Sequence, residues 1–164
     1  MILSTHAIVG GAIASLFSSH PAFIALAGFA SHFAIDAIPH WDYPLNAIKV
    51  GNHANNCSLK LNRQVLQDLA LIGVDACTGL AISVLLFAKP ETTWVVVLGA
   101  AAGMLPDALQ FVHSLYPRQP LKSLQRFHKW IHSDRRLTWR FGVASQVAFV
   151  ILVSGVASAL QSLS

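Results

Sequence analysis

The stretch at residues 32–44 reads HFAIDAIPHWDYP, and it closes an apolar run long enough to cross a lipid bilayer. It carries two imidazoles and two carboxylates within the eleven residues from His32 to Asp42. An ionised aspartate near the centre of a membrane helix costs ~2.5–3.5 kcal/mol even on the mildest insertion scales. Asp36 therefore needs a partner that offsets this cost, and a bound cation is one candidate.

The composition of the chain is that of a membrane protein. Hydrophobic residues make up 54% of the 164 residues and charged residues only 11%, whereas a soluble domain carries about 25% charged residues. The net charge of +4 lies in two loops rather than in one dense basic run, so no nucleic-acid partner is expected. Two cysteines, Cys57 and Cys77, are too few for a disulfide framework or a thiolate zinc site, and we expect free thiols.

Hydropathy divides the chain into five apolar segments within a single domain, residues 1–164. The predicted helices cover residues 2–18, 21–38, 64–88, 92–116 and 137–160, and a basic segment of amphipathic character covers residues 117–136. Pro39 and Pro44 end the second helix, because proline lacks the N–H group and restricts the residue before it. We therefore predict an all-α integral membrane helical bundle of about five transmembrane or membrane-embedded helices.

The basic residues predict how this bundle is oriented in the membrane. The loop before the third helix holds Lys49, Lys60 and Arg63, whereas the turn after that helix holds only Lys89 and Glu91. The segment before the last helix has one acid, Asp134, against six basic residues: Arg118, Lys122, Arg126, Lys129, Arg135 and Arg136. The positive-inside rule then puts the amino terminus and both basic loops on the cytoplasmic side. We expect a multi-pass protein of the inner membrane.

In this topology the ionisable residues within or beside the helices fall toward the cytoplasmic side: His6, His32, Asp36, His40, Asp68, Asp75, Asp107, His113, His128 and His132. Two pairs share a helical face, since His32 with Asp36 and His128 with His132 are four residues apart. His113 lies off the polar stripe of its own helix and is a weaker candidate. The common depth of these residues indicates one shared site.

A metal site explains this convergence economically. Four aspartates among the helices would cost on the order of 10 kcal/mol if unpaired, and no Lys or Arg lies deep in the spans beside them. Histidine and carboxylate without thiolate suit Zn²⁺ best, with Mn²⁺ or Fe as alternatives, and we expect one to three ions. Two simpler interpretations stay open. His32 and Asp36 are also compatible with a structural hydrogen-bonded pair, and His128 and His132 with the solvated face of an interfacial helix.

The motifs also resemble a known family. They are Thr5-His6-Ala7-x-x-Gly10, then His32-x-x-x-Asp36-x-x-Pro39-His40-Trp41-Asp42, then Leu105-Pro106-Asp107 and Phe127-His128-x-x-x-His132. They are similar to small inner-membrane proteins described as membrane-bound metal-dependent hydrolases, which include a bacterial member regulated by the SOS repressor. That family is distantly like zinc-dependent phospholipase C, whose helices bind metals through His-x-x-x-Asp and His-x-x-x-Glu pairs. Here the second pair is His128 and His132, without a glutamate, and the amino-terminal tryptophan ligand is missing.

The resemblance and the residues together lead to a functional expectation. We expect a metal-dependent hydrolase of an ester or phosphodiester, lipid-like and anionic, at the cytoplasmic membrane face. The candidate metal ligands are His6, His32, Asp36, His40, Asp107, His128 and His132. Asp68 and Asp75 are the candidate catalytic carboxylates, and Asp75 is also a possible further ligand. The alternatives are a non-heme di-iron membrane oxidase, and a non-enzymatic metal-binding or transport protein. The apolar outer half of the bundle disfavours transport.

Overall fold

The computed structural model describes residues 1–48 and 62–163, and this part of the chain forms six α-helices without a β-strand. The helices are α1 Leu3–Leu16, α2 Pro21–Asp36, α3 Arg63–Phe87, α4 Thr93–Leu115, α5 Leu121–Ile131 and α6 Trp139–Leu163. The prediction of an all-α helical bundle is thus confirmed. Lys49, Cys57 and Lys60, which entered the sequence analysis, lie outside the described residues, whereas Cys77 is a free, exposed thiol.

Three helices are long and apolar enough to cross a membrane: α3, α4 and α6. The other two apolar helices, α1 and α2, have 14 and 16 residues. At 1.5 Å per residue they extend about 21 and 24 Å, less than the ~30 Å hydrocarbon core of a bilayer. They are therefore membrane-embedded within the bundle rather than full spans on their own. The sixth helix, α5, lies inside the basic segment that the sequence marked as amphipathic.

Several helix ends differ from the prediction by two or three residues. Helix α1 ends at Leu16 instead of residue 18, and α2 ends at Asp36 instead of residue 38. Proline at position 39 disfavours helical backbone at the residue before it, which agrees with the earlier end of α2. Helix α6 begins at Trp139 and continues to Leu163. Because α2 ends early, residues 37–48 are not part of the helix and fold back over the end of the bundle.

Helix α1 lies at the centre and contacts α2, α3, α4 and α6. The closest approach joins α1 to α4, where a Cβ atom on Gly99 would collide with the carbonyl oxygen of Gly10. Glycine at both positions lets the two backbones touch, as small residues do at membrane helix interfaces. Gly99 belongs to a Gly-Ala-Ala-Ala-Gly run whose other glycine, Gly103, packs against the carbonyl of His6. This packing brings His6 and α4 to the same end of the bundle.

Candidate metal centre

The site is built around the carboxylate of Asp36, the last residue of α2, which is buried. Its Oδ2 atom lies 3.2 Å from Nε2 of His32 and 3.2 Å from Nε2 of His128. Those two ring nitrogens are themselves 3.2 Å apart. Oδ1 of Asp107 lies 3.5 Å from the His32 nitrogen. His32, Asp36, Asp107 and His128 thus present donor atoms that all lie within 4.8 Å of one another.

The other oxygen of Asp36 faces a second set of nitrogen atoms. Oδ1 lies 3.2 Å from Nε2 of His6, 3.9 Å from Nε2 of His40 and 2.5 Å from the amino group of Met1. His132 approaches from α5, with its Nε2 atom 4.0 Å from Oδ2 of Asp36. Asp36, His40 and His132 form a second group with the dimensions of a metal site. Asp36 belongs to both groups, so the structure brings all seven predicted metal-binding residues together around one carboxylate.

Four of the six donor separations in the first group are close to those around a single ion. Ligands bound to Zn²⁺ at about 2.0–2.1 Å in a tetrahedron lie roughly 3.3 Å from one another. The three separations among His32, Asp36 and His128 are 3.2 Å each, and that between His32 and Asp107 is 3.5 Å. The donor atoms of this group therefore fit a divalent cation.

The hydrogen bonds of the rings turn unprotonated nitrogens toward Asp36. Three imidazoles donate Nδ1–H to a backbone carbonyl: His32 to Gly103 at 2.9 Å, His40 to Ile38 at 2.7 Å and His132 to Ser133 at 3.0 Å. A neutral imidazole that donates through Nδ1 has a lone pair on Nε2, and each of these Nε2 atoms faces the carboxylate. A carboxylate oxygen and a ring lone pair repel each other unless a metal ion or a proton lies between them. Orientation of the ring by such a carbonyl is typical of histidine metal ligands.

His6 fits a ligand for a separate reason. Its side chain is fully buried and stacks on the ring of His32, with 3.9 Å between ring centroids. Within the described residues neither of its ring nitrogens makes a hydrogen bond of good geometry. Buried polar atoms almost always have a partner. An ion beside Oδ1 of Asp36 would give Nε2 of His6 that partner.

The charges of the cluster also favour a cation. Asp36, Asp42 and Asp107 carry three negative charges, against the single positive charge of the Met1 ammonium, which contacts Asp36 and lies 3.2 Å from Asp42. With neutral imidazoles a net charge of two minus remains in a largely apolar bundle. Burying uncompensated charge is expensive. One divalent cation would balance these charges.

Two ionisable groups outside the helices have pKa values that bear on metal binding. Burial lowers the pKa of His132, which favours the neutral imidazole that binds metals. Burial also opposes protonation of His40, but its hydrogen bonds with Asp42 and with the carbonyl of Ile38, together with the charge of Asp42, outweigh that effect and raise the pKa of His40. A proton therefore competes with a metal ion for the Nε2 atom of His40.

Backbone pairing positions the ligands that do not lie on the apolar helices. The amide of Ser133 donates to the carbonyl of Asp36 at 2.9 Å, and the amide of Leu137 donates to the carbonyl of His40 at 3.0 Å. These bonds join the connection after α2 to the connection between α5 and α6. His40 and His132 are thereby held over the end of the bundle, and the proline-rich break after α2 turns His40 back toward Asp36.

The structure gives Asp68 a role other than catalysis. Its buried carboxylate accepts hydrogen bonds from three consecutive backbone amides, those of Asn46, Ala47 and Ile48, at 3.0, 2.7 and 2.9 Å. The expectation of a catalytic base at this position stays a prediction that these contacts do not support, because both oxygens are engaged in fixing the chain after α2. Asp68 is an anchor for that segment and lies outside both ligand groups.

Asp75 likewise has a structural function that its helical spacing did not reveal. Its two oxygens accept from the backbone amides of Leu3 and Ser4 at 2.7 and 3.2 Å. These are the first free N–H groups of α1, so Asp75 caps that helix from α3. Tyr43 hydrogen-bonds to the same carboxylate. Asp75 lies outside both ligand groups, and its catalytic role stays a prediction that these contacts do not support.

Three participants were absent from the candidate residues derived from the sequence. Asp42 lies 3.2 Å from Nε2 of His40, and its position two residues after that histidine was the available signal. The Met1 amino group has no sequence signal of its own. Gln146 on α6 is buried, accepts from the amide of Ile2 at 3.1 Å and donates to the carbonyl of Trp41 at 2.8 Å. It fixes the amino-terminal residues beside the cluster.

The cluster is closed on most sides and open at one edge. His6, His32, Asp36, His40 and His128 are buried, whereas the side chains of Asp107 and His132 are each 30% exposed and that of Asp42 is 37% exposed. Solvent therefore reaches the ligand groups at these three residues. Catalytic metal sites differ from structural ones in keeping such an open position.

Comparison with known proteins adds no relative to this picture, because no family model, curated protein or solved structure matches the chain. The likeness to inner-membrane metal-dependent hydrolases thus rests on the motifs around His32, Asp107 and His128. The geometry described above is independent of that likeness.

Proposed function

We propose that this protein is a membrane-bound metal-dependent hydrolase. The observation that carries the proposal is the set of imidazoles whose Nδ1–H groups bind backbone carbonyls and whose Nε2 atoms face the single carboxylate of Asp36. His32, Asp36, Asp107 and His128 would hold one cation. His40 and His132, with Asp36 and His6, would hold a second. Zn²⁺ suits this donor set best, and Mn²⁺ or Fe is chemically compatible.

A divalent cation supplies Lewis acidity when bound and lowers the pKa of water to about 7. The residues of the chain must then accept a proton and orient the substrate. Asp42 remains for proton transfer, because its carboxylate is partly exposed, lies 3.2 Å from Nε2 of His40 and belongs to neither ligand group. Asp68 and Asp75 are engaged with backbone amides. The buried imidazoles exclude water from the other side of the site.

The expected substrate is an ester or phosphodiester of a lipid-like molecule. The ligand groups lie where α2 ends and α5 meets α6, at the end of the bundle that carries the basic segment. The positive-inside rule supports a cytoplasmic location for this end and for the amino terminus, in the inner membrane. A lipid in the cytoplasmic leaflet would bring its polar group to this depth. The open edge at Asp107 and His132 supports access from that side.

A non-heme di-iron membrane oxidase is the second candidate. The observation that favours it is the position of Asp36 between two ligand groups, since carboxylates from helices hold the paired metals of di-iron proteins. Metal identity separates the two proposals. Bound iron with an oxo-to-iron absorption band supports the oxidase, and bound zinc supports the hydrolase.

Hydrolysis can be tested with the full chain in lipid nanodiscs. Fluorogenic lipid esters and phosphodiesters are supplied to the purified protein, to the chelated protein and to the chelated protein after addition of Zn²⁺ or Mn²⁺. We expect activity that is lost on chelation, restored by metal and reduced at least about 100-fold in Asp42→Asn, the usual scale for loss of a proton-transfer group. Asp134→Asn, on an exposed residue, is the matched control. Hydrolysis that is unaffected by chelation would contradict the proposal.

A further inference from the structure

Helix α5 differs from the others because it connects two membrane-spanning helices without being one. Helix α4 ends at Leu115 and α6 begins at Trp139. Both are long and apolar enough to cross a membrane. The 11 residues of α5 therefore lie close to the membrane surface from which both spans start. Helix α5 packs against α2 and α4.

The two faces of α5 have opposite chemical character. At 100° per residue, His128 and Gln125 lie on one side, and both are buried against the bundle. The rest of the helix surface carries exposed basic and aromatic residues, which we name the outer face of α5: Lys122, Arg126, Phe127, Lys129 and Trp130. Trp130 is 79% exposed and Phe127 43% exposed. The ring of Phe127 also meets the ring of Phe33 on α2, with 5.0 Å between centroids.

This combination fits the interface of an anionic bilayer. Tryptophan is enriched at the level of the lipid head groups, and helices with basic and aromatic residues bind membrane surfaces. Further basic residues follow α5 at Arg135 and Arg136, and both are exposed. Each basic residue near an anionic leaflet strengthens binding about fivefold. The membrane is the occupant we select, because the adjoining helices already bring α5 to its surface.

The inner face of α5 contributes directly to the candidate metal centre. His128 lies 3.2 Å from Asp36, and His132 follows immediately after the helix as its C-cap residue. The other candidate ligands come from α1, α2, α4 and the connection after α2. The position of α5 thus decides whether two of the ligands reach Asp36.

We propose that the outer face of α5 docks on anionic lipid head groups and that this docking holds His128 and His132 against Asp36. The second half of the statement rests on the proposed metal function, whereas the docking itself does not. Metal affinity then depends on the lipid composition of the membrane. The bilayer acts as a partner that completes the site.

The experiment uses the full chain in nanodiscs of phosphatidylcholine alone or of an equal mixture of phosphatidylcholine and phosphatidylglycerol. The first measurement is the quenching of Trp130 by brominated lipids, taken as the difference between wild type and Trp130→Phe, in the presence of a chelator. The second is the apparent affinity for Zn²⁺. We expect stronger quenching and at least about tenfold tighter Zn²⁺ binding in the anionic nanodiscs, from the fivefold effect of each basic residue.

The charge variants provide the matched comparison. Lys122→Gln with Arg126→Gln should remove most of the dependence on phosphatidylglycerol in both measurements. Arg63→Gln with Lys89→Gln removes the same charge from exposed positions outside α5 and should leave that dependence intact. Equal effects of the two double variants would overturn the proposal, because the attraction would then depend on net charge alone.

The outcomes separate docking from metal binding. Trp130 quenching that is the same in both nanodiscs overturns the proposal. A soluble polyanion such as polyglutamate that shifts Trp130 emission in neutral nanodiscs as strongly as phosphatidylglycerol also overturns it, since the partner would not be a bilayer. Quenching that follows lipid charge while Zn²⁺ binds in neither nanodisc supports the docking surface and rejects the proposed metal function.

Discussion

Asp36 lies one helical turn after His32, so helix geometry sets that imidazole beside it, whereas His40 lies beyond the end of α2 and is held by the hydrogen bond from the Leu137 amide to its carbonyl. The other partners of its carboxylate, His6, His128 and His132, come from distant parts of the chain. A carboxylate surrounded in this way is stable only when positive charge is shared among its neighbours. The Met1 ammonium supplies part of that charge, and a bound cation would supply the remainder.

The role of Asp68 can be tested by substitution with its amide. In Asp68→Asn one acceptor oxygen is lost, and the backbone amides of residues 46–48 lose charge-assisted bonds. We expect a loss of about 1–3 kcal/mol in the free energy of unfolding, the cost of breaking buried hydrogen bonds. Metal content should be unchanged, as measured by elemental analysis. Loss of metal at unchanged stability would instead show that Asp68 takes part in metal binding.

Metal binding should weaken as the pH falls. Asp42 raises the pKa of His40 despite burial. As the pH falls, this imidazole therefore takes up a proton at a higher pH than an ordinary histidine does, and it must lose that proton to bind a metal ion. Affinity is then fully developed above the raised pKa and falls about tenfold per pH unit below it for one displaced proton. In Asp42→Asn the decline should begin at lower pH.

Competition with a chelator of known affinity, between about pH 8 and pH 5, measures this dependence across the range in which histidine titrates. His113→Ala serves as the control, because His113 belongs to neither ligand group. An affinity that stays constant over the whole range would contradict the involvement of histidine.

Residue spacing predicted the two histidine pairs on α2 and near α5 but not the uses of Asp68 and Asp75. Helical periodicity tells which residues share a face, and both aspartates do face the bundle. It carries no information about which backbone amides from another segment will meet them. Asp75 accepts hydrogen bonds from the first amides of α1, and Asp68 accepts them from the amides of residues 46–48. Free backbone donors are strong competitors for a buried carboxylate.

At the scale of the elements, contact between α1 and α4 depends on glycine. A side chain at Gly99 would strike the backbone of Gly10, whereas Gly155 on α6 has open space around it. We expect Gly99→Ala to lower the free energy of unfolding by about 1–3 kcal/mol through overpacking. Gly155→Ala, the matched control, should be neutral or stabilising by up to about 1 kcal/mol.

Unfolding in detergent with increasing denaturant compares the two glycine variants. The added methyl group of Gly99→Ala would also push α1 away from α4. Because His6 lies on α1 and Asp107 on α4, this variant should bind metal more weakly. Equal stability of the two variants would show that the close approach of α1 and α4 does not support the bundle.

The elements themselves could be predicted from hydropathy because five apolar runs are separated by proline, polar or charged residues. Their ends were less predictable. Helix α2 stops at Asp36, and this depends on contacts made by the following segment with residues 133–137. Helix α5 was visible as an amphipathic segment, but its docking against α2 and α4 is a tertiary property. Local sequence does not encode it.

At the scale of the whole molecule, the candidate metal ligands are concentrated at one end of an apolar bundle. Away from that end, α1 and α6 border an open groove of about 270 Å³ lined only by apolar side chains. The cluster around Asp36 lies at the opposite end, beside the basic segment. This asymmetry supports surface chemistry over passage of ions through the bundle, because an ion path needs polar groups along its length.

The orientation can be measured with single cysteines in a background without Cys57 and Cys77. Ser123→Cys on α5 and Glu91→Cys in the turn before α4 are both exposed. We expect a membrane-impermeant maleimide to label Ser123→Cys only from the cytoplasmic side and Glu91→Cys only from the other side. Labelling of both positions from the same side would contradict the topology.

The central claim is that Asp36 and its surrounding imidazoles hold a divalent metal ion, and elemental analysis of purified protein tests it most directly. Wild type should carry about one to two equivalents of metal, zinc above all. His32→Ala should lose most of it, and His113→Ala, with the same change outside the ligand groups, should retain it. Wild-type protein without bound metal, or His32→Ala with unchanged metal content, would contradict the claim.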